Sequence, residues 1–266
     1  MSKIYRFAAA AALLALTSAP SFAADLGDSG SLKDGTAAPA SPFGYSFTFG
    51  GTSDYVFRGF SQSAGDPTAQ ASFDMNYGMF YAGVWGSGID FGGQPKVNGE
   101  IDFYAGIKPT LGKLNFDLGA IWYAYPGPNR LAGSTGDLDY VELKAGVSTE
   151  VVKNLTVSGT AFWTPELSYD GGQVWTFEGG AAYQLPAVGP FTPTVSGLVG
   201  TAVADNDTLY DGDDSYVYWN IGLALAVDKF TFDFRYWDTD MSDGFCKGPA
   251  FQCSERFVFS AKIALP

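Results

Sequence analysis

From residue 43 onward, apolar and polar side chains alternate with a period of two, the pattern of strands that present one face to an apolar surrounding. Between Thr68 and Tyr77, Ala69, Ala71, Phe73, Met75 and Tyr77 alternate with Gln70, Ser72, Asp74 and Asn76. Between Gly99 and Lys108, Ile101, Phe103, Ala105 and Ile107 alternate with Glu100, Asp102, Tyr104, Gly106 and Lys108. The same phase runs through residues 114–122, 141–147, 155–163, 175–183, 217–227, 230–236 and 257–265. Further strands over residues 45–58, 79–91 and 191–204 bring the total to about twelve, and in the last two the pattern leaves the outward face undecided.

The connections alternate in length. Short turns fall near Gly78 and at residues 109–112, 152–154, 186–190 and 228–229. Longer polar loops fall between them, at 61–67, 92–98, 126–137, 165–172, 205–214 and 240–254. A soluble periplasmic β-sandwich has no reason to keep one end trimmed, whereas outer-membrane barrels have short periplasmic turns and long extracellular loops. In lipid no water satisfies backbone N–H and C=O groups, so such strands must close on themselves. The expected fold is therefore all-β, a closed antiparallel transmembrane β-barrel of about twelve strands with both ends in the periplasm. Tyr45, Tyr77, Trp122, Tyr125, Trp163, Tyr183, Trp219 and Trp237 lie near strand ends and suit interfacial girdles.

The N-terminus sets the route. Lys3 and Arg6 precede an apolar run over residues 7–16, and Ser21-Phe22-Ala23 supplies small residues for cleavage after Ala23. Residues 1–23 read as a signal peptide, 24–42 as a flexible periplasmic tail with little apolar surface, and 43–266 as the barrel. Removing 1–23 takes away two basic and no acidic residues, leaving 13 basic against 28 acidic. That balance argues against nucleic acid as a partner. Aromatic residues at 16% with a mean hydropathy of only +0.03 fit alternation better than a large aliphatic core.

Placing the polar phase inward puts Asp54, Arg58, Asp74, Glu100, Asp102, Asp117, Glu142, Lys144, Glu178, Asp233, Arg235, Arg256 and Lys262 in or near the lumen. Such charges stay solvated in a pore, whereas a basic side chain facing lipid near the midplane costs about 2–4 kcal/mol. Two readings follow: a lined path for passive diffusion of small hydrophilic solutes or ions, and a sealed, salt-bridged structural or surface-binding barrel. Arg58, with Asp54 expected one pleat away on the same face, is the first choice for a constriction residue, and a structural ion pair fits equally. Asp205, Asp207, Asp211, Asp213 and Asp214 form an acidic outer mouth. They lack the flanking helices and terminal glutamate of an EF-hand, so a weak cation preference is expected of them and no metal site. The chain has no histidine, which removes Ser-His hydrolases and His-liganded metals. No enzyme activity and no cofactor are expected; outer-membrane lipid, the barrel-assembly machinery and small solutes or ions are the expected partners. Cys246 and Cys253, in the last long loop, are expected to form a disulfide in an oxidising compartment.

A resemblance adds to this. Ser53-Asp54-Tyr55-Val56-Phe57-Arg58-Gly59-Phe60-Ser61-Gln62-Ser63, followed by Gly65-Asp66-Pro67, Gln70 and residues 80–87, resembles the opening of the TorF family of bacterial porin-like proteins. Glu100-Ile101-Asp102-Phe103-Tyr104-Ala105-Gly106, residues 235–240 and residues 255–260 also resemble it. The resemblance implies an outer-membrane barrel and adds the expectation of a porin. The chain departs from such barrels at its end, Ile263-Ala264-Leu265-Pro266, where an aromatic residue is usual.

Overall fold

The computed structural model describes residues 43–266 apart from 93–95, 129, 131–135, 206–208 and 248–251. The expected signal peptide, the 24–42 tail and Asp207 lie outside the described residues. Twelve long strands build the molecule: β1 (Phe43–Thr52), β2 (Thr68–Tyr77), β3 (Phe80–Gly88), β4 (Gly99–Ile107), β5 (Leu114–Ala124) and β6 (Tyr140–Val152), then β7 (Leu155–Thr164), β8 (Val174–Gln184), β9 (Thr192–Ala204), β10 (Ser215–Val227), β11 (Phe230–Thr239) and β12 (Arg256–Leu265). Each pairs antiparallel with its neighbours in sequence, and β1 pairs with β12, placing Phe47 opposite Leu265 and Thr52 opposite Ser260. The sheet therefore closes and leaves no unpaired edge.

The connections between successive strands sort into a short-turn end, which also holds Phe43 and Leu265, and a long-loop end. The last long loop carries one short helix, α1 (Asp243–Cys246), whose N-cap Ser242 accepts from the Phe245 amide.

Register fixes which side chains face out. Phe49, Trp122, Phe177, Val199, Ile221 and Phe234 lie exposed on the outer wall. The two strands of undecided phase are resolved by their contacts. In β3, Trp85 meets the inward Tyr55 ring at 5.4 Å and Tyr81 donates to Asp117, so Phe80 and Val84 face out. In β9, Ser196 accepts from Arg235 inside, which turns Val195 and Val199 outward. Stacked rings, Phe103 on Trp122 at 5.4 Å and Trp163 on Trp175 at 5.9 Å, mark the outer wall toward the long-loop end.

Two expectations about this wall are corrected. Tyr125 is only 1% exposed and belongs to the interior cluster, and Trp237 packs against that cluster, so neither joins a girdle. The first strand also ends at Thr52, where it was expected to reach residue 58. Inside, large rings lie across glycines: Tyr218 covers Gly200, and Tyr81 covers Gly106 and Gly119. A Cβ at Gly200 would strike the Tyr218 ring, so the absent side chain is what lets the ring lie flat against the wall.

Ile221 sits midway along β10 on the outer face, 57% exposed. Ile221→Arg is expected to lower the unfolding free energy in a bilayer by about 2–4 kcal/mol, while Ile221→Leu stays within about 1.5 kcal/mol. Equilibrium urea unfolding in lipid vesicles measures both. Full tolerance of the arginine would mean that this face does not meet hydrocarbon.

Candidate functional site

The site begins where β1 leaves the wall. Thr52 Oγ1 donates to the Asp54 carbonyl at 2.7 Å, and the Ser53 amide takes the Phe259 carbonyl of β12 at 2.8 Å, ending the ladder. The chain then folds into the barrel as a small hairpin in which Val56 pairs with Ser61 and Phe57 with Phe60. Arg58 and Gly59 make the two-residue turn, with φ of 45° and 89°. Positive φ at both central positions is the geometry of a type I′ turn, for which glycine is suited and arginine is not. A Cβ at Gly59 would also collide with Thr239.

What holds Arg58 in that conformation is its side chain, which crosses the lumen to β6. Its two terminal nitrogens donate to the two oxygens of Glu142, each at 3.1 Å, and Nε lies 4.0 Å from Glu178 of β8. The guanidinium stacks between rings, 4.7 Å from the Phe57 centroid and 4.6 Å from that of Phe162. Glu142 also accepts from Tyr123 at 3.3 Å and Thr164 at 3.2 Å, and Glu178 accepts from Tyr218 at 2.6 Å. The Tyr216 hydroxyl of β10 donates to the Arg58 carbonyl at 3.0 Å. The sequence reading paired Arg58 with Asp54 on one strand face; the turn separates them. Asp54 accepts instead from Arg256 of β12 at 2.7 Å, Ser61 at 2.6 Å and Ser63 at 3.0 Å.

Apolar packing completes this half. Phe60 meets Tyr216 at 5.2 Å, and Tyr55, Phe57 and Phe60 join a cluster with Ile89, Phe91, Val97, Tyr123 and Leu138 from the surrounding strands and loops. The last loop clasps the outside of the hairpin: the Ser61 amide donates to the Gln252 carbonyl at 2.9 Å and Gln252 Nε2 to the Ala64 carbonyl at 3.0 Å. The Cys246–Cys253 disulfide closes that loop, with Thr239 Oγ1 donating to the Cys253 carbonyl at 3.0 Å.

The short-turn half differs. Lys144 pairs with Asp117 at 2.6 Å, and Tyr81 donates to the same carboxylate at 2.7 Å. Asp74 accepts from Tyr104 and from Ser72. Arg235 is held by Asp233 at 2.9 Å, Asn220 at 2.6 Å and Ser196 at 3.0 Å. Lys262 lies in this half on β12, opposite Thr231, and forms no ion pair among the described residues. The two halves also differ in solvent contact: Glu142 and Tyr218 are 0% exposed, while the Asp233 and Asp117 side chains keep 19% of their surface. The hairpin end of the lumen holds the buried cluster; the other end holds partly exposed charges of both signs.

Of the sequence candidates, Arg58, Glu142 and Glu178 meet in one cluster, Asp54 and Arg256 in a second, Asp117 and Lys144 in a third, and Asp233 and Arg235 in a fourth. Glu100 and Asp102 are buried beside the hairpin, where Tyr55 donates to Glu100 at 2.8 Å. Asp205, Asp211, Asp213 and Asp214 are exposed in the loop between β9 and β10, Asp205 accepting from the Gln173 amide and Asp211 from Ser242. The described residues contain no group of three or more acidic or Cys side chains placed to hold a metal. The sequence reading missed Phe162, Thr164 and the tyrosines 55, 123, 216 and 218. The inward phase of the last three was a signal for them.

Solved structures share this architecture. The NanC porin superposes with a TM-score of 0.54 at 10% identity, over 83% of this chain and 99% of that one. The KdgM porin, solved in complex with disordered oligogalacturonate, gives 0.55 at 8% identity over the same shares. At these identities the likeness shows the fold. No curated protein matches the sequence. Residues 36–264 match the model of a family described as bacterial protein of unknown function, Gcw_chp, and across that span the chain belongs to this family.

Proposed function

We propose that this protein is a porin-like outer-membrane channel for small hydrophilic solutes or ions, stoppered at its extracellular end by its own first loop. The observation that carries the reading is the division of the lumen. One half carries partly exposed charges of both signs from several strands, which a solid structural barrel would not need. The other is closed by a separate chain segment, residues 53–63, and not by the wall itself. The signal-peptide pattern, the resemblance of residues 53–91 to TorF proteins and the porin fold all support an outer-membrane location with the long loops outside. Lipid surrounds the outer wall, and the barrel-assembly machinery inserts it. The exposed Asp211, Asp213 and Asp214 concentrate cations at the mouth, giving a weak cation preference.

The near-complete burial of Glu142, Tyr123 and Tyr218 favours a second reading, a sealed barrel that acts through its loops. Planar-bilayer recording of the mature protein separates the two. The channel reading expects small, infrequent current steps from the natural chain. Replacing residues 54–62 by a short Gly-Ser linker should raise the conductance several-fold. A linker variant that folds, shown by heat-modifiable migration, yet passes no current would establish the sealed barrel.

The Arg58 pair gives a finer test. Arg58→Ala leaves Glu142 buried without its cation, and is expected to destabilise the closed form by about 3–5 kcal/mol. Arg58→Met with Glu142→Leu removes both charges and should cost much less. Open probability is expected to follow the same order, highest for Arg58→Ala. Equal behaviour of the two variants would remove the ion pair from the gating account.

Reversal potentials under a salt gradient test the preference for cations. A modest cation bias is expected, weakened in Asp211→Asn/Asp213→Asn/Asp214→Asn. Anion preference in the natural chain would reverse the assignment.

A further inference from the structure

On the strands and the hairpin, every basic side chain but one has its own carboxylate. Arg58 pairs with Glu142, Lys144 with Asp117, Arg235 with Asp233 and Arg256 with Asp54. The exception is Lys262 of β12. It shares the inward phase of Arg256 and Ser260, while Phe257 and Phe259 face out. Its ammonium forms no ion pair or hydrogen bond among the described residues, and the side chain is partly exposed.

The surroundings account for this isolation. Directly opposite Lys262 stand Gly50 of β1 and Thr231 of β11, neither of them charged. A Cβ at Gly50 would lie 3.0 Å from the Lys262 Cβ, so the glycine leaves the space beside the lysine stem open. The carboxylate whose field reaches Lys262 is that of Asp233. Both of its oxygens are already taken by Arg235, one by Nε at 3.1 Å and the other by a terminal nitrogen at 2.9 Å, and a bidentate fork of this kind holds its carboxylate in place.

A lysine with no counterion does nothing to fasten the wall, and an uncompensated charge inside a membrane protein points to what passes or binds there. An ammonium is a compact, strongly hydrated point charge with three donors on a flexible stem. It can touch a carboxylate or phosphate and release it again, which conduction requires. Lys262 also lies near Leu265, at the short-turn end, whereas Asp211, Asp213 and Asp214 occupy a loop at the other end. We propose that Lys262 is the charge-selecting residue of the inner half of the path, where it engages the anionic group of a permeating solute and offsets the acidic mouth. This assignment rests on the channel reading above.

Cys246 and Cys253 are bonded to each other, so Lys262→Cys supplies the one free thiol of the chain. Reversal potentials under a salt gradient are recorded for the natural chain and for this variant, each also with residues 54–62 replaced by the Gly-Ser linker. Loss of the lysine should raise the cation-to-anion permeability ratio about twofold or more. Attaching an aminoethyl group by methanethiosulfonate chemistry returns a positive charge and should restore the natural ratio. A sulfonatoethyl group should carry the ratio beyond that of the unmodified thiol, and Lys262→Arg should match the natural chain. Current with the same ratio in every form overturns the role of Lys262 and leaves the channel standing. Folded protein that passes no current in either background overturns both. If Lys262→Cys fails to fold, acetylation of the natural chain in lipid vesicles, mapped by mass spectrometry, decides. Reaction at Lys262 that inorganic phosphate slows supports the assignment; a lysine that stays unmodified, or reacts without protection, overturns it.

Discussion

Closure of the sheet is the constraint on which everything else rests. A strand in hydrocarbon has no water to bond, so every main-chain donor and acceptor must meet a neighbouring strand, and the pairing of β1 with β12 gives each of the twelve long strands two partners. Once the ring is closed, register decides the face of every residue. A slip of one position along β11 would turn Asp233 and Arg235 to lipid and Phe234 to the lumen. The cost of a charge in hydrocarbon thus protects the register, and the interior polar network follows from the same condition that forces closure.

Twelve strands then create a problem that eight do not. Wall side chains suffice to fill a barrel of about eight strands, whereas a wider ring leaves space along its axis. In the half nearer the long loops, a segment of chain fills that space. The hairpin brings Tyr55, Phe57 and Phe60 into contact with groups from several sides of the ring, and Arg58 spans the remaining gap to Glu142. In the other half, the Tyr81 ring laid across Gly106 and Gly119 narrows the lumen. Fold and candidate site are therefore one arrangement: the width of the ring makes room for a stopper, and the first loop supplies it.

Much of this was legible from alternation alone. Residues 68–77 form a strand over the span the pattern gives, and the alternation of short and long connections carries through the whole ring. Where the reading failed, a different rule governed. Residues 53–58 continue the alternation of β1, so period two ran on past Thr52, but here it serves a hairpin inside the lumen. The signal that could have stopped it, Arg58-Gly59 between Phe57 and Phe60, is weaker than an Asn-Gly turn because arginine disfavours positive φ. Tyr125 and Trp237 were assigned to girdles from their position near strand ends, although each is in phase with the inward residues of its own stretch, Tyr123 and Arg235. Parity was the better guide. The partner of Arg58 was not legible at all, since Glu142 lies 84 residues further along the chain and only closure brings it across the lumen.

The chemistry of the stopper bears on what it is for. Replacing a buried ion pair by apolar groups of similar volume is often neutral or stabilising, so stability alone does not account for an arginine at this turn. An apolar residue at position 58 could pack between Phe57 and Phe162 and leave Glu142 unnecessary. What the pair adds is direction and a single point of release. A planar guanidinium on a planar carboxylate accepts one geometry, which seats the hairpin in one register against β6. Losing that one contact exposes two charges that water solvates strongly, so the displaced hairpin is stabilised by hydration where an apolar one would not be. A segment meant only to fill space gains nothing from such an arrangement, whereas a segment that must leave and return gains a defined seat and a solvated alternative.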